Sequence, residues 1–102
     1  MSNSSSSEPA NAGQRAIVTV TGKDRVGIIA EVCGLLASLG VNILDISQTV
    51  MREFFTMTML VDTGTTDTPF DAIREALSDR GAQSGLSIRI QREDIFNAMH
   101  RI

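Results

Sequence analysis

The residues best suited to bind a small molecule lie in two short segments of the chain. A helix is expected to begin in the first segment, where free backbone N–H groups at positions 26–28 can bind a carboxylate. Gly27 carries no side chain that would block the approach of that carboxylate. In the second segment, Asn42 and Asp45 offer oxygen atoms that can accept hydrogen bonds from an ammonium group. The two segments together predict a site for a small molecule that carries both charges.

Each of these residues also has a structural explanation. Asp24 is the predicted N-cap of the helix that follows it. Gly27 can allow a helix and a strand to pack closely, and Asn42 can adopt a turn conformation that its side chain stabilises. Asp45, on a predicted edge strand, can be a solvated charge that discourages edge-to-edge pairing. The sequence leaves both explanations open at every one of these positions.

Side chains for covalent or metal chemistry are scarce. The chain has one histidine, His100, and one cysteine, Cys33, which lie far apart in the predicted order of elements and form no nucleophile–base pair. These counts exclude a structural zinc site built from cysteine and histidine. Asp24 and Asp45 alone make a weak ligand set for a divalent cation. We therefore expect no catalytic residue, no metal and no cofactor, and we expect Cys33 to be a small core residue.

Composition excludes further classes of protein. The chain has 102 residues and a net charge of −3, so it has room for one domain and no basic excess with which to bind nucleic acid. No apolar run approaches the roughly 18 residues of a membrane span, and a single cysteine cannot form an internal disulfide. We therefore expect a cytoplasmic protein that binds neither nucleic acid nor a membrane. Residues 1–14, rich in serine, are expected to be a disordered tail before a single domain at 15–102.

Hydrophobic periodicity predicts the elements that position these residues. The predicted strands are Ala16–Thr21, Ile43–Met51, Phe55–Val61 and Leu86–Gln91. The first predicted helix begins at Arg25 and ends at Gly40, and the second begins at Pro69, after a Thr68 cap, and ends at Gly81. A third predicted helix begins near Glu93. A hairpin that turns at Arg52–Glu53 therefore lies between two helices. The order βαββαβ predicts an α+β, ferredoxin-like fold, in which both helices cover one face of a four-stranded antiparallel sheet, with a short C-terminal helix added.

The first predicted helix is apolar over a wider arc than one core requires. One stripe, expected to face the core, comprises Val26, Ile29, Ala30, Cys33, Leu36 and Ala37. A second stripe at the same helical spacing comprises Ile28, Val32, Leu35 and Leu39. The two stripes together cover roughly 220° of arc, whereas a helix on one core needs about 100°. We therefore expect the second stripe, together with the neighbouring edge of the sheet, to form the interface of a homodimer.

The first loop and the second strand resemble a known family, the ACT domain. The run Val20–Ala30 contains the Asp-Arg-x-Gly-Ile motif of that family, and Asn42–Ile43 matches the Asn-Ile that begins its second strand. Val26 stands where many ACT domains have proline. Further similarity to the small stand-alone ACT-domain proteins extends the resemblance over about residues 15 to 102, through Asp45–Val50, Phe54–Met57 and Ile95–Met99.

The resemblance implies a function and a set of site residues. ACT domains bind amino acids or related metabolites at interfaces between domains, so the loop of one subunit is expected to face the second strand of another. The implied ligand-binding residues are Asp24, Arg25, Val26, Gly27, Ile28, Asn42, Ile43 and Asp45. We expect a homodimeric regulatory module without catalytic activity, with a regulated enzyme as a further candidate partner. The alternative is an interaction subunit that docks on and regulates an enzyme without binding a ligand.

Overall fold

The computed structural model describes residues 14–94, and within them the chain folds in the order βαββαβ. The strands are β1 (Arg15–Lys23), β2 (Asn42–Met51), β3 (Phe54–Asp62) and β4 (Leu86–Arg92), and the helices are α1 (Ile28–Ser38) and α2 (Phe70–Ser84). A short 3-10 turn, Thr63–Thr65, follows β3. The predicted ferredoxin-like fold is confirmed. Residues 93 and 94, where the predicted C-terminal helix begins, are helical, and the rest of that helix and residues 1–13 of the predicted tail lie outside the described residues.

The four strands form one antiparallel sheet in the order β2-β3-β1-β4. The two edges of the sheet are therefore β2 and β4. A bulge between Ile43 and Asp45 shifts the register of β2 against β3 by one residue. No helix among residues 14–94 is long and apolar enough to cross a membrane.

The core lies between one face of the sheet and the two helices. On β3, Phe55, Met57, Met59 and Val61 are buried while Thr56 between them is exposed, as the alternating pattern predicts. β1 and β4 alternate in the same way, and the helices add Ile28, Val32, Leu36, Ile73 and Leu77 to this core. The opposite face of the sheet carries no helix among the described residues.

The predicted phase of α1 is wrong. Ile28 and Val32, expected at an interface, are 2% and 0% exposed, and the other two residues of their stripe are half-buried against the core. The stripe expected in the core is mostly outside it, since Val26 is 96% exposed and Ile29 is 36% exposed. The two stripes have the same helical spacing, so the pattern alone could not select between them. Glu31 lies beside the buried stripe and bonds to α2, which is consistent only with the observed phase.

The predicted start of α1 is also wrong. The helix begins at Ile28, after Gly27, whose φ of 93° is in the left-handed region, and no side chain in the described part of the protein caps its N-terminus. Asp24 is therefore not the N-cap. Its backbone N–H donates instead to the Glu53 carbonyl at 2.7 Å, which joins the loop before α1 to the hairpin between β2 and β3. At the other end, Gly40 follows the helix with a φ of 80°, as predicted.

The two ends of α2 differ from their prediction as well. Pro69, rather than Thr68, is the N-cap residue, and the helix continues past Gly81 to Ser84 before Gly85 ends it with a φ of 73°. Gly81 is buried, and a Cβ atom there would lie 2.6 Å from the Leu86 carbonyl oxygen. Close packing of α2 on β4, and not helix termination, therefore accounts for this glycine.

Candidate functional site

The loop that joins β1 to α1 is open at the helix N-terminus. Gly27 is exposed, and a Cβ atom built on it would meet no other atom within 4 Å. Close packing is therefore the wrong explanation for this glycine, and its left-handed φ is the right one. The first hydrogen bond of the helix runs from the Glu31 N–H to the Gly27 carbonyl at 2.9 Å. The N–H groups of positions 28–30 precede that bond, and they favour an anion bound at the helix N-terminus.

The carboxylate of Glu31 binds the arginine of this loop. The guanidinium of Arg25 donates from Nη2 to Oε1 of Glu31 at 2.8 Å, and Nη1 donates to the Val26 carbonyl at 3.4 Å. Two groups at the end of α2, Ser84 and Arg80, approach the other carboxylate oxygen of Glu31. The hydrogen bond from Ser84, and then that from Arg25, lower the pKa of the Glu31 carboxyl below its ordinary value.

The second predicted segment lies on the edge strand β2. Asn42 is exposed and pairs with Asp62, while Ile43 is half-buried and packs on the core. Asp45 is exposed, and its Oδ1 accepts a hydrogen bond from the N–H of Ile46 at 2.9 Å. One carboxylate oxygen of Asp45 is thus bound locally, and the side chain remains at the surface of the sheet edge.

The structure does not bring the two predicted segments together within one chain. Asn42 and Arg15 both pair with Asp62, so β2 begins at the end of the sheet where β1 also begins. The loop follows Lys23, which pairs with Phe54 at the opposite end. The nine residues of β1 separate the two ends by about 25 Å. A ligand of amino-acid size cannot contact both segments of the same chain.

The sequence indicated a homodimer interface that includes the neighbouring sheet edge, but it did not identify the exposed apolar residues of β2. Ile46 and Val50 pair with Met59 and Phe55, so their side chains lie on the helix-covered face of the sheet, yet both are exposed. On α1, Ile29 is exposed too, and it lies on the helix flank away from the Glu31 contacts with α2. α1 contacts β2, so this flank and the edge strand are neighbours. The irregular alternation of residues 43–51 was the available signal.

No group of three or more His, Cys, Asp or Glu side chains among residues 14–94 could hold a metal ion. Cys33 is half-buried on α1, and burial raises the pKa of its thiol, which lowers the fraction of reactive thiolate. His100 lies outside the described residues.

Comparison with known proteins gives a family match and similar proteins. The family model of the ACT domain matches residues 14–91. A UPF0237 protein of Clostridium acetobutylicum is 52% identical over 88 residues, which cover 86% of this chain and 99% of the relative. An ACT domain protein from Streptococcus pneumoniae is similar in structure, with a TM-score of 0.72, 44% identity, and coverage of 80% of this chain and 92% of that one.

A larger regulatory protein contains a similar fold. The regulatory subunit of aspartate kinase from Thermus thermophilus matches with a TM-score of 0.63 and 25% identity. The match covers 82% of this chain but 54% of that one, so the similarity concerns a part of the larger subunit.

Proposed function

Since the chain belongs to the ACT domain family, we propose that it acts in the cytoplasm as a regulatory module that binds an amino acid or a similar small metabolite and catalyses no reaction. The observation that carries this proposal is the open N-terminus of α1. Gly27 leaves free space there, and the N–H groups of positions 28–30 can bind a carboxylate. The similarity to a regulatory subunit supports the same class of function.

A homodimer supplies the second half of the proposed site. A two-fold axis that pairs β2 with β2 of a second copy makes the two strands antiparallel. The start of each β2 then lies at the end of the sheet where the partner has its loop. Asn42 and Asp45 of one subunit thus lie at the same end of the joined sheet as the loop before α1 of the other. The ammonium group of an amino acid would bind to these two side chains while its carboxylate binds to the helix.

The apolar surface at the β2 edge supports this dimer. Among residues 14–94, β2 has a hydrogen-bonded neighbour strand on one side only, and Leu44, Ile46 and Val50 along it are exposed. The neighbouring flank of α1 extends the apolar surface with Val26, Ile29, Ala30, Cys33 and Ala37, of which Cys33 is half-buried and the others are exposed. The surplus of apolar residues on this helix, inferred from its sequence, is present in the structure, but it is provided by the stripe that was expected to face the core.

Thermal unfolding in the presence of single amino acids tests the proposal. A ligand at about 100 times its dissociation constant adds roughly 2.7 kcal/mol to the free energy of unfolding. For a domain of this size, that gain raises Tm by roughly 10 °C or more. The chain contains no Trp and no Tyr, so calorimetry is the suitable readout. If none of the twenty amino acids raises Tm, the proposed ligand class is wrong.

A substitution at the second half of the site locates the ligand. Asp45→Asn keeps the shape of the side chain and removes the charge that would bind the ammonium group, so it should weaken binding. It should leave the Tm of the unliganded protein nearly unchanged, because Asp45 is exposed. Asp71→Asn, the same change at an exposed carboxylate on α2, is the matched control and should not affect binding.

The exposed apolar surface also supports a second candidate function. An interaction subunit would use Ile46, Val50 and the α1 flank to dock on an enzyme, and it would need no ligand. This candidate predicts a monomeric protein whose Tm does not respond to amino acids. Sedimentation of the purified protein, combined with the calorimetric measurement, distinguishes the two functions.

A further inference from the structure

One ionic cluster connects the candidate site to the last turn of α2. Glu31, in the first turn of α1, accepts a hydrogen bond at Oε1 from Arg25 Nη2 at 2.8 Å. Its Oε2 accepts a hydrogen bond from the hydroxyl of Ser84 and lies 3.8 Å from Nη1 of Arg80. A single half-buried carboxylate therefore contacts the loop before α1 and the C-terminal end of α2, which lies 53 residues further along the chain.

The loop depends on contacts of this kind. Gly27 has the conformational freedom of glycine, and none of the described side chains caps the helix that follows it. On one side, the Asp24 N–H bonds to the Glu53 carbonyl at 2.7 Å and joins the loop to the hairpin. On the other side, Arg25 joins the loop to Glu31. These two attachments hold the loop beside the N–H groups of positions 28–30, which would bind a carboxylate.

We propose that Glu31 is a positioning residue of the candidate site. By holding Arg25, it fixes the loop that precedes α1, and by accepting a hydrogen bond from Ser84, it makes the geometry of that loop depend on the end of α2. A partner or a modification that displaces the end of α2 would change the affinity of the site. By linkage, a bound ligand would change the affinity of the α2 end for that partner by the same free energy.

This inference deepens the proposed function, but its test requires no ligand. A residue that only holds α1 against α2 would change the free energy of unfolding when it is substituted, and the conformation of the loop would stay the same. A positioning residue alters the loop itself. The amide of Asp24 reports on the loop, because its hydrogen bond to Glu53 protects it from exchange with solvent only while the loop is in place.

Amide hydrogen exchange of the full-length protein, measured by NMR, is the experiment. Ser84→Ala removes the hydroxyl on α2, and Glu31→Gln removes the charge that holds Arg25. We expect both variants to raise the exchange rate of the Asp24 amide roughly two- to fivefold, the range expected for loss of a partly exposed ion pair. Ser84→Thr retains a hydroxyl and should restore the slow rate.

The matched control is Asp71→Asn, which breaks a carboxylate–arginine pair confined to α2. It should leave the exchange rate of Asp24 unchanged. Amides in the centre of β1 give the overall stability of each variant for comparison. An unchanged Asp24 rate in both Glu31→Gln and Ser84→Ala would overturn the proposal, and so would a response to Glu31→Gln alone, because the dependence on α2 would be missing. Either result leaves the amino-acid binding measured by calorimetry untouched.

Discussion

A charge introduced at the exposed edge of β2 should dissociate the proposed dimer. The Ile46 side chain lies on the helix-covered face of the sheet and is 40% exposed in the single chain. Complete burial of an isoleucine contributes about 1.5–3 kcal/mol, so burial of the exposed part contributes about 1 kcal/mol. Two-fold symmetry introduces each substitution twice, and Ile46→Glu therefore costs the dimer about 2 kcal/mol of apolar burial. The two carboxylates must also lose hydration, which increases the cost.

A loss of about 2 kcal/mol or more raises the dissociation constant of the dimer at least about 30-fold. Sedimentation equilibrium over a range of concentrations measures this constant directly. Ser87→Glu, on the exposed face of the opposite edge strand β4, is the control and should leave the constant unchanged. A wild-type protein that is monomeric at high micromolar concentration would refute the reasoning. A dimer that is unaffected by Ile46→Glu but dissociated by Ser87→Glu would place the interface at the other edge.

Three further predictions concern stability. Gly34→Ala, at an exposed position of α1 where a Cβ meets no atom within 4 Å, should raise the free energy of unfolding by about 0.5–1 kcal/mol. Gly81→Ala should lower it by about 1–3 kcal/mol, because the new Cβ would lie 2.6 Å from the Leu86 carbonyl; urea unfolding that gives both changes the same sign contradicts this packing. The pKa of Glu31 is lower in the folded protein than its ordinary value of 4.5. The carboxylate therefore contributes fully to stability above pH 4.5, and this contribution is lost as the pH falls through the folded-state pKa. The difference in Tm between wild type and Glu31→Gln should therefore shrink on acidification below pH 4.5, and a difference that grows would contradict the assignment.

The strands were predictable because their patterns allow one solution. On β3, Met57 and Met59 alternate with threonines, and a strand with this pattern can bury only one of its faces. The hairpin at Arg52–Glu53 was predicted without a strong turn sequence, and Arg52 indeed adopts a left-handed φ of 58° there. The sheet and the order of its elements follow from such local signals.

Local patterns could not predict which side of α1 faces the core, or whether one chain brings both halves of the site together. Two apolar stripes at equal spacing leave the orientation of a helix undecided until contacts from other elements, such as Ser84 to Glu31, are known. The start of α1 depends on the backbone conformation of Gly27, which no capping pattern indicates. The sequence predicted that the loop and Asn42 contribute to one site, but their separation within one chain became evident only from the strand order and register.

The strand order also has a consequence for how the chain folds. The central strand β1 is synthesised first, and it pairs with β3 and β4 but not with its sequence neighbour β2. Ala16 pairs with Arg92, whereas the β2–β3 hairpin closes through residues only a few positions apart. Contacts between distant residues form slowly, because a long loop must close before they contribute. The β2–β3 hairpin should therefore form early. The edge of β1 that pairs with β4 should stay unpaired until β4 has left the ribosome.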